Sequence, residues 1–162
     1  MDSFSGIGGT MEINEAIWTI ASRLSLNCRA TILYIEDEQF VREVTREILQ
    51  SAGYRVLVAG SAEEAQRICD HRVNIDLLLT DVVLPVESGT RFAARAKREK
   101  QQLKVLYVTG YPEQMTIRPA ENEACLAKPY SADGLLQQVG RLLEPGEFPV
   151  PEDAVMHARV GV

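Results

Sequence analysis

The sequence predicts a doubly wound α/β fold: a five-stranded parallel sheet of strand order 2-1-3-4-5, with helices on both faces. Three observations carry the fold class; the strand order is taken from known sheets of this kind. Short apolar runs alternate with stretches whose apolar residues recur at spacings of three and four, and parallel strands require such helical crossovers. Four of the runs stop at polar groups of different kinds, Glu36-Asp37, Asp81, Thr109-Gly110 and Lys128-Pro129. The composition, 46% apolar and 25% charged over 162 residues, is that of a globular chain long enough to bury a core.

Residues 1–10 are rich in Gly and Ser and are expected to be flexible. Over 11–26, Ile13, Ile17, Ile20 and Leu24 form a helical stripe. A linker helix resting on its own domain is expected there, with a docking or homodimerising helix as the alternative. The compact unit spans 30–144, between an extension over 1–29 and a flexible tail over 145–162. Its first strand, 31–35, feeds a helix over 39–52 with Val41, Val44, Ile48 and Ala52 facing inward, stopped by Gly53. A strand over 55–59 follows, and Ser61-Ala62-Glu63-Glu64 reads as a capping box opening a helix to about His71. The third strand is placed at 76–80, then a loop through Pro85 and Gly89 and a helix over 90–100. A strand over 103–108 leads to residues 112–122, which have prolines near both ends and weak periodicity and read as a short, loosely held helix. A strand over 124–127 and a helix over 132–143, capped by Ser131, close the unit.

Composition excludes several classes. The net charge of −6 argues against a general nucleic-acid binder. Cys28, Cys69 and Cys125 are widely spaced and odd in number, which suits reduced thiols in a cytoplasmic protein and no disulfide or zinc framework. No apolar stretch approaches the ~20 residues that span a bilayer, and the N-terminus lacks the order of a signal peptide. After residue 144 too little sequence follows for a DNA-binding output domain.

The strand ends define the expected site. In the 2-1-3-4-5 order of flavodoxin-like sheets, the first and third strands flank the switch point beyond whose C-terminal ends ligands bind. Glu36, Asp37 and Asp81 would meet there and repel one another, so a hard divalent cation is the natural guest. Asp81, at the mouth of a buried strand, is best placed as a nucleophile that attacks phosphorus and holds an acyl phosphate. Lys128 offers a compact cation and Thr109 a short hydroxyl to phosphoryl oxygens. Phosphoryl transfer asks little of a protein beyond positioning and charge neutralisation. Taken singly, Thr109 suits a strand cap, Lys128 a solvated charge and Glu36-Asp37-Glu38 an acidic first helical turn. Jointly the four strand ends favour chemistry.

Residues 32–38, 78–85, 105–110 and Lys128-Pro129-Tyr130 together resemble the motifs of the response-regulator receiver domain of two-component signalling, in its single-domain form. The resemblance covers 30–144. It implies that Asp81 is the phosphoacceptor, that Glu36 and Asp37 are the acidic metal pair, and that Val83 lends its backbone carbonyl to Mg²⁺ or Mn²⁺. Thr109 would be the hydroxyl that moves onto the phosphoryl group, and Lys128 the partner lysine, followed by a cis bond to Pro129. The donor would be a histidine kinase or histidine phosphotransfer protein. The domain would catalyse its own phosphorylation and dephosphorylation without being an enzyme on another substrate, and would signal to a downstream protein by contact. Cys125 stands where such domains usually carry an aromatic switch residue, so the readout is expected to run through Thr109 and residues 112–122.

Two rivals share the chemistry: a receiver module of a hybrid histidine kinase, and a metal-dependent aspartyl phosphatase, whose paired acids after the first strand are spaced differently. A flavin module would want phosphate donors where this chain is acidic. The basic run Arg91, Arg95, Lys97, Arg98, Lys100 and Lys104 reads as a solvated helix face, or as a surface for an acidic partner.

Overall fold

A computed structural model of the protein describes residues 29–111, 120 and 122–143. The expected helix over 11–26, almost all of the segment 112–122 and the tail 145–162 lie outside those residues. The elements run β1 (Thr31–Ile35), α1 (Gln39–Ser51), β2 (Arg55–Ala59), α2 (Ala62–Asp70), β3 (Leu77–Asp81), α3 (Gly89–Glu99), β4 (Lys104–Thr109), β5 (Glu123–Ala127) and α4 (Ala132–Leu143). The strands form one parallel sheet in the order β2-β1-β3-β4-β5.

Alternation along the strands sends side chains to two cores. Leu33, Ile35, Leu78, Val105 and Tyr107 pack with Ala65 of α2 and Phe92 of α3 on one face. Ile32, Tyr34, Leu79, Leu106 and Val108 pack with Leu49 of α1 and Leu135 of α4 on the other. The sheet is therefore covered on both sides, which is why β1, β3 and β4 read as continuous apolar runs.

Local chemistry sets the element ends. Gly53 adopts φ +89, which L side chains rarely accept. Its N–H donates to the Gln50 carbonyl at 2.9 Å and that of Tyr54 to the Leu49 carbonyl at 3.2 Å, the two bonds that satisfy the last carbonyls of α1. Ser61 Oγ accepts from the Glu64 N–H at 3.2 Å, as its cap position requires. The return bond lands one residue early, because Glu64 Oε2 accepts from the Gly60 N–H at 2.7 Å.

Two expectations need correction. The inward positions of α1 are Thr45 and Leu49, with Val41 and Ile48 half-buried, whereas Val44 is 41% exposed. Thr45 is admitted to the interior because its hydroxyl shares a 3.1 Å hydrogen bond with the Tyr130 hydroxyl, a pairing invisible to apolar periodicity. The third strand begins at Leu77 and includes Asp81, one residue later than expected. Asp76 instead precedes it, its Oδ2 accepting from the Thr31 N–H at 2.8 Å.

Candidate functional site

Register brings the predicted strand ends to one edge. Ile35 lies beside Thr80, so Glu36 and Asp81 are the next residues on adjacent strands. Asp81 lies beside Val108, and Thr109 beside Ala127, which puts Lys128 immediately beyond β5. The Lys128 N–H donates to the Thr109 carbonyl at 2.7 Å and extends that register by one bond. The Lys128–Pro129 peptide is cis, as the resemblance implied.

At that edge the Lys128 ammonium bridges two carboxylates. Its Nζ donates to Asp81 Oδ2 at 2.5 Å and to Glu36 Oε2 at 2.8 Å. Glu36 is 2% exposed and Asp81 9%, so both charges depend on partners inside the protein. The second Asp81 oxygen, Oδ1, accepts from the Val83 N–H at 2.8 Å. Glu36 Oε2 also lies 3.4 Å from the Tyr34 hydroxyl, which donates to it. Burial first, then Tyr130 and Glu36, push the Tyr34 phenol well above the usual tyrosine range, so it stays a donor. Burial works against the charge on Lys128, but the hydrogen bonds to Asp81 and Glu36 outweigh it and hold the ammonium above the ordinary lysine pKa.

Thr109 is buried, and its Oγ1 accepts from the Tyr111 N–H at 3.0 Å. A hydroxyl that accepts one bond keeps its own proton to donate. Asp37, which follows Glu36 in the chain, is exposed and Glu38 is the uncapped first boundary residue of α1, so the acidic run precedes the helix and no acid lies in its first turn. Among the described residues no three His, Cys, Asp or Glu side chains are gathered into a ready metal site. Even so, the donor chemistry fits Mg²⁺. One ammonium faces two carboxylates, Asp37 follows Glu36 in the chain, and Mg²⁺ typically takes one or two carboxylates and keeps waters for the rest.

Sequence reasoning missed two supports of this edge. Arg42, one turn into α1, donates from Nη1 to the Glu36 carbonyl at 2.5 Å and to the Asp37 carbonyl at 3.2 Å, holding the acidic loop by its backbone. A basic residue one helical turn after an acidic run was the available signal. Gly89 at the start of α3 packs so closely that a Cβ there would overlap the Asp81 carbonyl oxygen and the Thr80 hydroxyl. The basic run on α3 is largely taken up within the fold. Arg95 pairs with Glu87, Lys97 with Glu123 at 2.5 Å, and Lys100 Nζ donates to the Ile75 carbonyl at 2.6 Å.

Known proteins share this fold. The pattern of the response regulator receiver domain matches residues 32–140. The sensor kinase CckA of Brucella abortus is 34% identical over 123 residues, 74% of this chain, which spans only 13% of that kinase. The response regulator receiver protein CpdR of the same organism is 29% identical over 119 residues, 69% of this chain and 95% of CpdR. The crystal structure of response regulator protein TrrA from Thermotoga maritima, in complex with Mg²⁺ and BeF, superposes with a TM-score of 0.61 at 29% identity. It covers 70% of this chain and 98% of TrrA. Receiver domains are the phosphoacceptors of two-component systems, bind Mg²⁺ at the phosphorylation site and interact with histidine kinases or phosphotransfer proteins. No helix of the described residues is long and apolar enough to cross a membrane. With its sheet order and two thirds of its length matching one pattern, the chain belongs to the response regulator receiver domain family.

Proposed function

We propose that this protein accepts a phosphoryl group on Asp81 from a phosphohistidine of a histidine kinase or phosphotransfer protein, and passes the signal on through contact with another protein. The observation that carries the reading is the Lys128 ammonium, held between Asp81 and Glu36 at the end of the sheet. It fixes the Asp81 carboxylate and stands ready for a more charged oxygen.

An Asp81 oxygen attacks phosphorus in line with the histidine nitrogen; the O–P bond forms as the P–N bond breaks, and the imidazole leaves. The Val83 N–H orients the carboxylate through Oδ1. Lys128 shifts its ammonium from the carboxylate toward a phosphoryl oxygen, where the developing charge is larger. Thr109 donates its free hydroxyl proton to another phosphoryl oxygen. Asp37, Asp81 and the Val83 carbonyl are the donors that would hold Mg²⁺, with Glu36, tied to Lys128 and Tyr34, adding charge beside them. Bound there, the ion neutralises the carboxylates that would otherwise repel the phosphoryl group.

Incubation with acetyl phosphate and Mg²⁺, followed by intact mass measurement, tests the reading. One phosphoryl group is expected on the protein, none when EDTA replaces Mg²⁺, and none on the Asp81→Ala variant. Modification of Asp81→Ala to the wild-type level would overturn it.

A further inference from the structure

A tyrosine inside a buried strand has to give its hydroxyl a partner, and the partner of Tyr34 belongs to the site. Tyr34 is fully buried in β1, two residues before Glu36. The Glu36 N–H donates to the Ala59 carbonyl at 3.1 Å, so strand alternation holds one residue past Ile35. Tyr34 and Glu36 therefore fall on the same face, the one covered by α1 and α4. Nothing in phosphoryl transfer itself asks for a tyrosine there.

The Tyr34 hydroxyl also meets Thr45 of α1 and Tyr130, and those two share a 3.1 Å hydrogen bond with each other. A carboxylate only accepts, so the single Tyr34 proton goes to Glu36 Oε2, 3.4 Å away. Tyr34 must then accept from Thr45, and Thr45, its proton spent, must accept from Tyr130. The anion at one end sets the direction of the whole chain, and each bond polarises the next. Tyr130 stands two residues after Lys128, whose Nζ holds the same Glu36 Oε2 at 2.8 Å. Lys128, Glu36, Tyr34, Thr45 and Tyr130 thus close a ring that ties together β1, α1 and the turn after β5. The other Glu36 oxygen, Oε1, accepts from the Glu38 N–H at 3.4 Å, on the loop that carries Asp37.

We propose that Tyr34 is a positioning residue for the Mg²⁺ site: aimed by Thr45 and Tyr130, its hydroxyl keeps Glu36 Oε2 on Lys128 and Oε1 on the acidic loop. This role rests on the reading of the same edge as the metal site of a phosphoacceptor. Without the hydroxyl, Lys128 alone holds that side of Glu36, and either carboxylate oxygen can face it. The acidic loop then loses a fixed acceptor, and the charge offered to an incoming ion is no longer preset.

Titration calorimetry with Mg²⁺ alone, on the unphosphorylated full-length protein, measures this role apart from the transfer step. Tyr34→Phe should weaken Mg²⁺ binding by about tenfold, as loss of a partner that orients a metal site does. Thr45→Val should weaken it less. Tyr34→Phe/Thr45→Val should be no weaker than Tyr34→Phe, because Thr45 acts through the Tyr34 hydroxyl. Tyr107→Phe is the structural control: Tyr107 is also buried, and its hydroxyl also meets a glutamate, Glu123. It should leave Mg²⁺ affinity at the wild-type value. Circular dichroism checks that each variant folds, and Thr45→Val carries the test by itself if Tyr34→Phe does not. Wild-type affinity in Tyr34→Phe would overturn the proposal, as would a wild type that binds no Mg²⁺. So would tighter binding, which would mean that the hydroxyl only drains charge from Glu36. A further loss in the double variant would overturn the relay through Thr45. Labelling by acetyl phosphate is read separately. An unlabelled Asp81 beside the expected Mg²⁺ affinities would sink the acceptor reading and leave the role of Tyr34, and labelled Asp81 with unchanged affinities would do the reverse.

Discussion

Lys128 and Lys97 each place an ammonium 2.5 Å from a carboxylate, the first against Asp81 at the C-terminal edge of the sheet, the second against Glu123 at the N-terminal edge. Around Glu123 the charges close. One cation meets one anion, the Ala120 N–H donates to Glu123 Oε2 at 3.1 Å, and the Tyr107 hydroxyl donates as well. Around Lys128 they do not. One cation is shared by two carboxylates, the next residue Asp37 is exposed, and Arg42 is spent on backbone carbonyls rather than on either acid. The same pair chemistry thus serves two ends: a balanced pair fixes β5 to α3, and an unbalanced one leaves negative charge that a divalent cation can complete.

Removing each lysine in turn should have the largest effect. Lys128→Met strands the buried Glu36 against Asp81 and should lower stability by about 2–3 kcal/mol. Lys97→Met leaves Glu123 two other donors and should cost about 1 kcal/mol. Equal losses in urea unfolding, both in EDTA, would mean that the two edges are balanced alike. Gly89→Ala should come next, at about 1–2 kcal/mol. Its Cβ must displace the Asp81 carbonyl or the Thr80 hydroxyl, whereas Gly110→Ala, with nothing within 4 Å, should be close to neutral. A smaller effect sharpens the contrast in charge. Mg²⁺ should raise the Tm of the wild type, and Asp37→Asn should remove most of that rise. Glu38→Gln and Lys97→Met should keep it.

The weakest expected signal is in pH. Burial opposes ionisation of Glu123, but Lys97, the Ala120 N–H and Tyr107 together hold its carboxyl below the ordinary glutamate value. A depressed folded pKa adds stability that is present above the unfolded value of about 4.3 and is lost as pH falls through the folded one. Stability followed from pH 7 down to about 3 should therefore fall by an increment that Lys97→Met lacks. The reciprocal effect is at Tyr107, whose phenol is pushed up to about 12 by burial and by Glu123.

The fold was legible because each strand has an apolar middle and four of the five stop at a polar group, and because Gly53 and Ser61 mark helix ends by backbone need. Register then made four separate polar groups into one edge, which is why Asp81, Glu36, Thr109 and Lys128 were readable from sequence. Less readable were contacts between polar groups far apart in the chain. Thr45 turns inward to meet Tyr130, and Tyr34 turns its hydroxyl to Glu36, where periodicity counts only apolar residues. The start of β3 shifted by one, and Asp76 stands just before it, its Oδ2 accepting from the Thr31 N–H and its own N–H donating to the Thr31 carbonyl at 2.9 Å. The basic residues of α3 looked like a charged face because their partners, Glu87, Glu123 and the Ile75 carbonyl, come from other elements. Cys125 is half-buried against the core that holds Tyr107, and burial pushes its thiol up, so it packs there as a small apolar group.

If Asp81 is the acceptor proposed above, chemical trapping at this edge will show it. Borohydride reduces an aspartyl phosphate to homoserine. After acetyl phosphate and Mg²⁺, peptide mapping should find that conversion at residue 81 and nowhere else. Conversion at Glu36 or Asp37 with residue 81 intact would contradict the account.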